Sequence, residues 1–334
     1  MRIADVAIEG RLRLAPMADV TNAPFRLVAR ECGSSMTTTE EIDAISLVRG
    51  AVRARDIVRH YAGERPLAMQ LLGCDADLLC QAAELVQDAG ADIVDLNMGC
   101  PMPKITKQGK GAALMRDIPE TSELLRRLRR VVEVPLTVKI RGGWDDDHLN
   151  AVEVAKMAED VGVDAIVVHP RTRSQRFSGR APWDIIREVV EAVNVPVTGN
   201  GDVTSAGEGR AMIEGTGCAD VMIGRGAFGR PWVFDEGFEC LPAAERKARK
   251  AAIIERHMAL LAEHFEASPR VVLNQTRRHL GWYVENGLPY SNPTRAAIHQ
   301  AHERGEMLET FWDWWETVDC GGVDGRAGEA STRV

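Results

Sequence analysis

The chain is poor in the features that would assign it quickly. Its seven cysteines, Cys32, Cys74, Cys80, Cys100, Cys218, Cys240 and Cys320, are an odd number, and no two have the Cys-x-x-Cys spacing of a zinc or iron–sulfur site. Neither a disulfide framework nor a metal site is expected, and free thiols fit a reducing, cytoplasmic setting. No apolar run approaches the roughly 18 residues that a membrane span needs. Met1-Arg2-Ile3-Ala4-Asp5 lacks the apolar core of a signal peptide. Positive charge is not in excess: the net charge is −8 and the pI about 5.6. That argues against a general nucleic-acid binder and leaves room for a local basic surface. What is present is 334 residues, 45% of them hydrophobic. This length suits one large α/β barrel or two domains, with roughly 75% of the unfolded surface buried.

The first two-thirds carries a repeating punctuation. Three strands follow a Gly-x-Asp or Gly-x-x-Asp signal: Ile93–Leu96 after Gly90-Ala91-Asp92, Ala165–Val168 after Gly162-Val163-Asp164, and Val221–Ile223 after Gly217-Cys218-Ala219-Asp220. Three others start at a proline: Leu67–Leu71 after Pro66, Leu136–Ile140 after Pro135, and Val197-Thr198 after Pro196. Glycine suits the left-handed end of a helix, and proline the first residue of a strand, where no ladder donor is lost. With Leu12–Ala15 and Ser35–Thr39 there are eight strands. Helical periodicity fills the gaps over Asp77–Ala89, Val152–Val161 and Ile185–Val193. Eight βα units predict a (β/α)8 TIM barrel over residues 1–238. A doubly wound sheet would more often show its glycine fingerprint in the first unit, where it is missing. After a linker at Glu239-Cys240-Leu241-Pro242, residues 243–318 read as an all-helical domain. Ile254, Met258, Leu261 and Phe265 form a stripe, a second helix runs from about Val271 to Glu285, and Phe311, Trp312, Trp314 and Trp315 read as helix packing. The tail 319–334 is expected to be disordered.

Polar residues collect at the C-terminal ends of the predicted strands, where this fold places its active sites. They are Pro16, Met17 and Ala18 after strand one, Gln70 on strand three, and Asn97 and Cys100 after strand four. Lys139 and Arg141 lie on strand five, His169 and Arg171 on six, Asn200, Gly201 and Asp202 on seven, and Gly224 and Arg225 on eight. Asn97 and Gly99 are expected to break strand four, and Pro101 to fix the backbone behind the Cys100 thiol. Gly224-Arg225-Gly226-Ala227-Phe228-Gly229 has the spacing of a dinucleotide fingerprint, but Arg230-Pro231-Trp232 stops any long helix behind it. The better reading is a phosphate site shared between the loops after strands seven and eight. Gln70, Lys139 and His169 on the same rim suit the polar edge of a flavin, so a phosphorylated ring cofactor is expected, and FMN fits best.

These segments carry a resemblance. Leu14-Ala15-Pro16-Met17-Ala18-Asp19-Val20-Thr21-Asn22-Ala23-Pro24-Phe25-Arg26 is similar to the opening of the tRNA-dihydrouridine synthase family. Asn97-Met98-Gly99-Cys100-Pro101 resembles its active-site motif. Val138-Lys139-Ile140-Arg141-Gly142-Gly143-Trp144, His169-Pro170-Arg171-Thr172-Arg173, Asn200-Gly201-Asp202 and Gly224-Arg225-Gly226 follow in the family's order, and the likeness extends through Trp282-Tyr283. It is nearest the bacterial dihydrouridine synthase B subfamily; Pro170, where a glycine or alanine is common, is a small departure.

The resemblance implies that NADPH reduces FMN and that a uridine of tRNA, swung out of its stack, then takes hydride at C6 and a proton from Cys100 at C5. It places FMN against Pro16, Met17, Ala18, Gln70, Lys139, His169, Asn200, Gly201, Asp202, Gly224 and Arg225, and the target base against Asn97 and Arg171. A thiol of near-normal pKa is expected at Cys100. Lys104, Lys107, Lys110, Arg171, Arg173, Arg176 and Arg180, with Arg277 and Arg278, are expected to line a positive face for tRNA. No obligate protein partner is inferred. Two alternatives stand beside this reading: another FMN barrel reducing an activated alkene or a free pyrimidine, and an RNA-binding protein without catalysis. The intact Cys100, Lys139 and His169 set argues against the second.

Overall fold

The computed structural model describes residues 1–318; the tail 319–334 lies outside the described residues. Two compact units divide at Gly224 and Arg225, ahead of the boundary expected at 238–243. The physical reason is packing. Trp232 and Phe238, which sequence punctuation assigns to the barrel, are buried in one apolar cluster with Ile254, Leu261, Tyr283 and Phe311.

The first unit is a parallel barrel of eight strands. They are β1 (Leu12–Leu14), β2 (Thr37–Thr38), β3 (Leu67–Leu72), β4 (Ile93–Met98), β5 (Leu136–Arg141), β6 (Ala165–His169), β7 (Val197–Asn200) and β8 (Asp220–Ile223). Each neighbour pairing from β2 through β8 and on to β1 is parallel. Backbone bonds from Ser35 to Leu12 (2.7 Å) and from Leu14 to Met36 (3.4 Å) draw β1 and the approach to β2 together. A short strand, Ile42–Asp43, adds to the far end of β3. Strands buried on both faces read as apolar runs, and β3 and β4 are buried at every position.

The sequence punctuation has a structural cause. Gly90, Gly162 and Gly217 take φ of +95°, +88° and +75°, where a side chain is disfavoured. The aspartates that follow two of them cap a neighbouring strand. Asp92 accepts the Leu67 N–H and Asp164 the Leu136 N–H, each at 2.8 Å, so the first donor of β3 and of β5 is satisfied. An antiparallel ribbon, Arg2–Ile3 with Val6–Ala7, closes the N-terminal end by packing Ile3 and Ile8 against Met36, Ala68, Ile93 and Ala165.

One expected boundary is corrected. Asn97 does not break β4, which runs on through Met98. Asp95 and Asn97 lie two apart, on one face of the strand. Their side chains are satisfied by β3 and β5, so polar residues continue the strand instead of ending it.

The second unit contains helices Ala243–His264, Pro269–Trp282, Asn292–Gln300 and Arg304–Thr317. The helix expected to reach Glu285 gives way after Trp282 to a wider turn over Tyr283–Gly287. Phe311 and Trp315 are buried, and Trp312 and Trp314 pack partly buried beside them, as expected of helix packing. Among the described residues, no helix is long and apolar enough to cross a membrane.

Candidate active site

Side chains of β3, β4 and β5 form one hydrogen-bonded row. Gln70 Nε2 donates to Asp95 Oδ2 at 2.7 Å, and Thr137 Oγ1 donates to Asp95 Oδ1 at 2.5 Å. Asn97 Nδ2 donates to Gln70 Oε1 at 2.8 Å and to Glu41 Oε2 at 3.3 Å. Asn97 Oδ1 accepts the N–H groups of Gly99 (3.0 Å) and Cys100 (2.9 Å). The Asn97 side chain thus bonds Gln70, Glu41 and the cysteine loop together. Gln70 is likewise held between Asp95 and Asn97.

Cys100 is half-buried. Its carbonyl takes the Ala112 N–H at 3.1 Å. Gly111 lies against it at φ +61°, where a Cβ would come within 2.8 Å of that carbonyl oxygen, so only glycine fits. Arg141, buried, grips the same loop from β5: its Nε donates to the Gly99 carbonyl at 2.7 Å and its Nη1 to the carbonyls of Thr172 and Arg176 at 2.9 Å. Burial, and then the Glu41 carboxylate, push the Cys100 thiol up to about 11, against the pull of Arg141 and Lys139. The near-normal thiol expected from sequence is corrected. Low-dielectric surroundings and a neighbouring anion both disfavour the thiolate, so Cys100 holds its proton throughout the physiological range.

Lys139 lies opposite Asn97 in register. Its Nζ is 3.3 Å from Asn200 Oδ1, and Asn200 Nδ2 donates to the Met222 carbonyl at 2.7 Å. Burial, with Arg141 next, pulls the Lys139 ammonium down to about 8. His169 closes β6, buried and in register with Arg141. Gly201 takes φ +125°, and a Cβ there would meet the Ala181 Cβ at 2.9 Å. Pro16, Met17 and Ala18 leave β1 in a turn pinned by Thr21, whose Oγ1 accepts the Met17 N–H at 3.0 Å. Gly224 faces Ala15 and Met17, each 3.7 Å from where its Cβ would stand. Arg225, exposed, opens the second unit in a tight turn.

Arg171 is placed differently from the rest. It is buried in an ion pair with Asp202, Nη1 to Oδ1 at 2.8 Å and Nη2 to Oδ2 at 2.7 Å, and its Nε donates to the Ser178 carbonyl at 3.0 Å. The structure joins Arg171 to Asp202 and joins Cys100, Asn97 and Gln70 to one another. The sequence reading passed over Glu41 and Asp95. Asp95 carried a signal, a carboxylate inside an otherwise apolar run. Glu41 carried none beyond its place in a polar stretch.

The donor set fits a phosphorylated ring cofactor. Lys139, Asn200 and Gln70 supply a cation and amides at adjoining strand ends, and Ala15, Gly201 and Gly224 carry little or no side chain at the ends of β1, β7 and β8.

Comparison with known proteins agrees with this architecture. Residues 13–316 match the family described as "Dihydrouridine synthase (Dus)". A "Probable tRNA-dihydrouridine synthase" of Rhizobium leguminosarum bv. phaseoli is 35% identical over 96% of this chain and 99% of its own length. The "tRNA-dihydrouridine synthase B" of Pseudomonas aeruginosa is 37% identical over 91% of this chain and 92% of its own. Among solved structures, a 2-naphthoyl-CoA reductase complex superposes with a TM-score of 0.56 at 12% identity, covering 72% of this chain and 51% of that one, a likeness of fold. With the matched family spanning nearly all the described residues, the chain belongs to the dihydrouridine synthase family of enzymes, alongside the tRNA-dihydrouridine synthase B relatives.

Proposed function

We propose that this chain reduces specific uridines of tRNA to 5,6-dihydrouridine, with FMN held at the barrel mouth and NADPH as the reductant. One observation carries the reading: a thiol kept in its protonated form at the end of β4, on a loop fixed by Asn97 and Arg141. When bound, FMN supplies the hydride that C6 of the uracil receives. Cys100 supplies the proton: its S–H bond breaks and a C5–H bond forms. Lys139 supplies positive charge beside Asn200, which suits an anionic ring edge and phosphate. Gly201 and Gly224 leave room for close approach of backbone donors to phosphate.

For tRNA, Lys104, Lys107, Arg176 and Arg180 are exposed cations of the loops after β4 and β6. Others in those loops are committed. Lys110 pairs with Asp43, Arg171 with Asp202, and Arg173 stacks on Trp144, 4.6 Å from the ring centre. In the second unit, Arg277 and Arg278 are half-buried. The phosphate-binding set is therefore smaller than the loop sequences suggest, and the tRNA affinity depends on salt with a correspondingly modest slope.

The test is direct. Unmodified tRNA, free uridine and an activated alkene are each incubated with the purified protein, FMN and NADPH, and products are read by mass spectrometry. Dihydrouridine in tRNA alone is the expected result. Turnover of the small molecules without tRNA product would give the site to a small-molecule reductase.

A further inference from the structure

Glu41 has no part in the reaction as written so far. It lies half-buried in the segment between β2 and the short strand Ile42–Asp43. Two links join its carboxylate to the cysteine. The Cys100 thiol lies close enough to the carboxylate for each to shift the titration of the other. Asn97 spans the same pair, giving Nδ2 to Glu41 Oε2 at 3.3 Å and taking the Cys100 N–H on Oδ1 at 2.9 Å. A second clasp, the ion pair of Asp43 with Lys110, ties the same two loops together.

We propose that Glu41 is the second member of a proton relay, passing its carboxyl proton to Cys100 Sγ as the thiol passes its own to C5 of the base. The proposal rests on the reading of Cys100 as the acid. The balance is simple. The Glu41 O–H bond breaks and an S–H bond forms, while the original S–H bond breaks and C5–H forms. Glu41 is left a carboxylate and regains its proton from water, which its partial exposure admits.

The surroundings support each half. Burial, and then Glu40, push the Glu41 carboxyl up, with Asp19 acting the same way and Arg53 and the thiol acting against them. A larger share of Glu41 is therefore protonated at neutral pH than for an ordinary glutamate. Cys100 faces Glu41 from the β2 side and Lys139 and Arg141 from β5. A bare thiolate there is costly because burial disfavours it. A proton arriving from Glu41 as the first one leaves avoids that charge.

The test has a readout apart from turnover. Cys100 is alkylated with iodoacetamide across a pH series and followed by peptide mapping. In the parent protein the midpoint is expected near 11; an ordinary midpoint of about 8.5 would overturn the proposal whether or not a variant folds. In Glu41→Gln the midpoint moves down by about one pH unit, as removal of an adjacent anion requires. An unmoved midpoint counts against any Glu41 charge at Sγ. In single turnover, transfer from the reduced enzyme to tRNA slows roughly 10- to 100-fold in Glu41→Gln, and Glu41→Asp recovers part of it. The parent rate falls as pH rises through the titration of the Glu41 carboxyl, which lies above that of an ordinary glutamate, and that slope disappears in Glu41→Gln. Parent-like transfer in Glu41→Gln with a dead Cys100→Ala would remove the relay alone. Parent-like transfer in Cys100→Ala would remove the acid role itself.

Discussion

The Asn97 side chain holds the backbone of Cys100: Asn97 Oδ1 takes the Cys100 N–H at 2.9 Å and that of Gly99 at 3.0 Å. The last side chain of β4 to point into the barrel row therefore sets where the thiol begins. Because Asn97 also donates to Gln70 and Glu41, the cysteine is indexed at once against β3, β4 and the segment that follows β2. A side chain anchored in this way keeps its place without help from substrate.

Asn97→Ala leaves two N–H groups of the loop without their acceptor. A loss of roughly 1–3 kcal/mol in stability is expected. Transfer to tRNA falls about 100-fold because the thiol loses its position, while flavin reduction by NADPH holds. Denaturant melts and the two half-reaction rates check this; an equal fall in both rates would mean that Asn97 serves the cofactor instead.

Lys139 gives a pH dependence. Its ammonium is pulled down to about 8, chiefly by burial, so its charge is present below that pH and lost above it. FMN affinity measured by fluorescence is expected to hold up to about pH 8 and weaken beyond it, since the free protein must regain a proton to bind an anion well. Lys139→Arg keeps its charge and should flatten the curve. Lys139→Ala should bind weakly at every pH.

Much of the barrel was legible because its strands are fenced by residues with fixed jobs. Gly90 and Gly162 need positive φ, and Asp92 and Asp164 cap β3 and β5. The interior row was less legible. Asn97 looks like a strand breaker until Gln70 and Glu41 are seen across from it, 27 and 56 residues away in sequence. β2 is only Thr37–Thr38, too short to show a period, so nothing marked Glu41 as facing the site. The pairing of Arg171 with Asp202 was not legible because the partner lies 31 residues on. The compact units divide ahead of residue 238 because Trp232 and Phe238 follow a barrel motif but pack with the helices.

The helical unit carries its own pH signal. His257 is buried, hydrogen-bonded to the Tyr283 hydroxyl at 3.0 Å and edge-on to His279, with ring centres 4.4 Å apart. Burial pulls His257 down to about 3 and holds His279 far below its ordinary range. A histidine buried neutral contributes stability that is complete above its unfolded pKa, near 6.5, and is lost as pH falls toward the folded value. Unfolding followed by tryptophan fluorescence should therefore show a steep loss below about pH 6. His257→Gln, which cannot titrate, should reduce that slope even if it lowers stability at pH 7.

The central claim is that Cys100 donates the proton that completes uridine reduction, and single-turnover rates of the two half-reactions in Cys100→Ala test it most directly. The account predicts that the variant binds FMN and is reduced by NADPH at the parent rate, while transfer from the reduced enzyme to tRNA drops roughly 10²–10⁴-fold, the contribution of a positioned acid. A Cys100→Ala protein that reduces tRNA as fast as its parent would contradict it, as would one in which both half-reactions fall together because the thiol serves only to pack the loop.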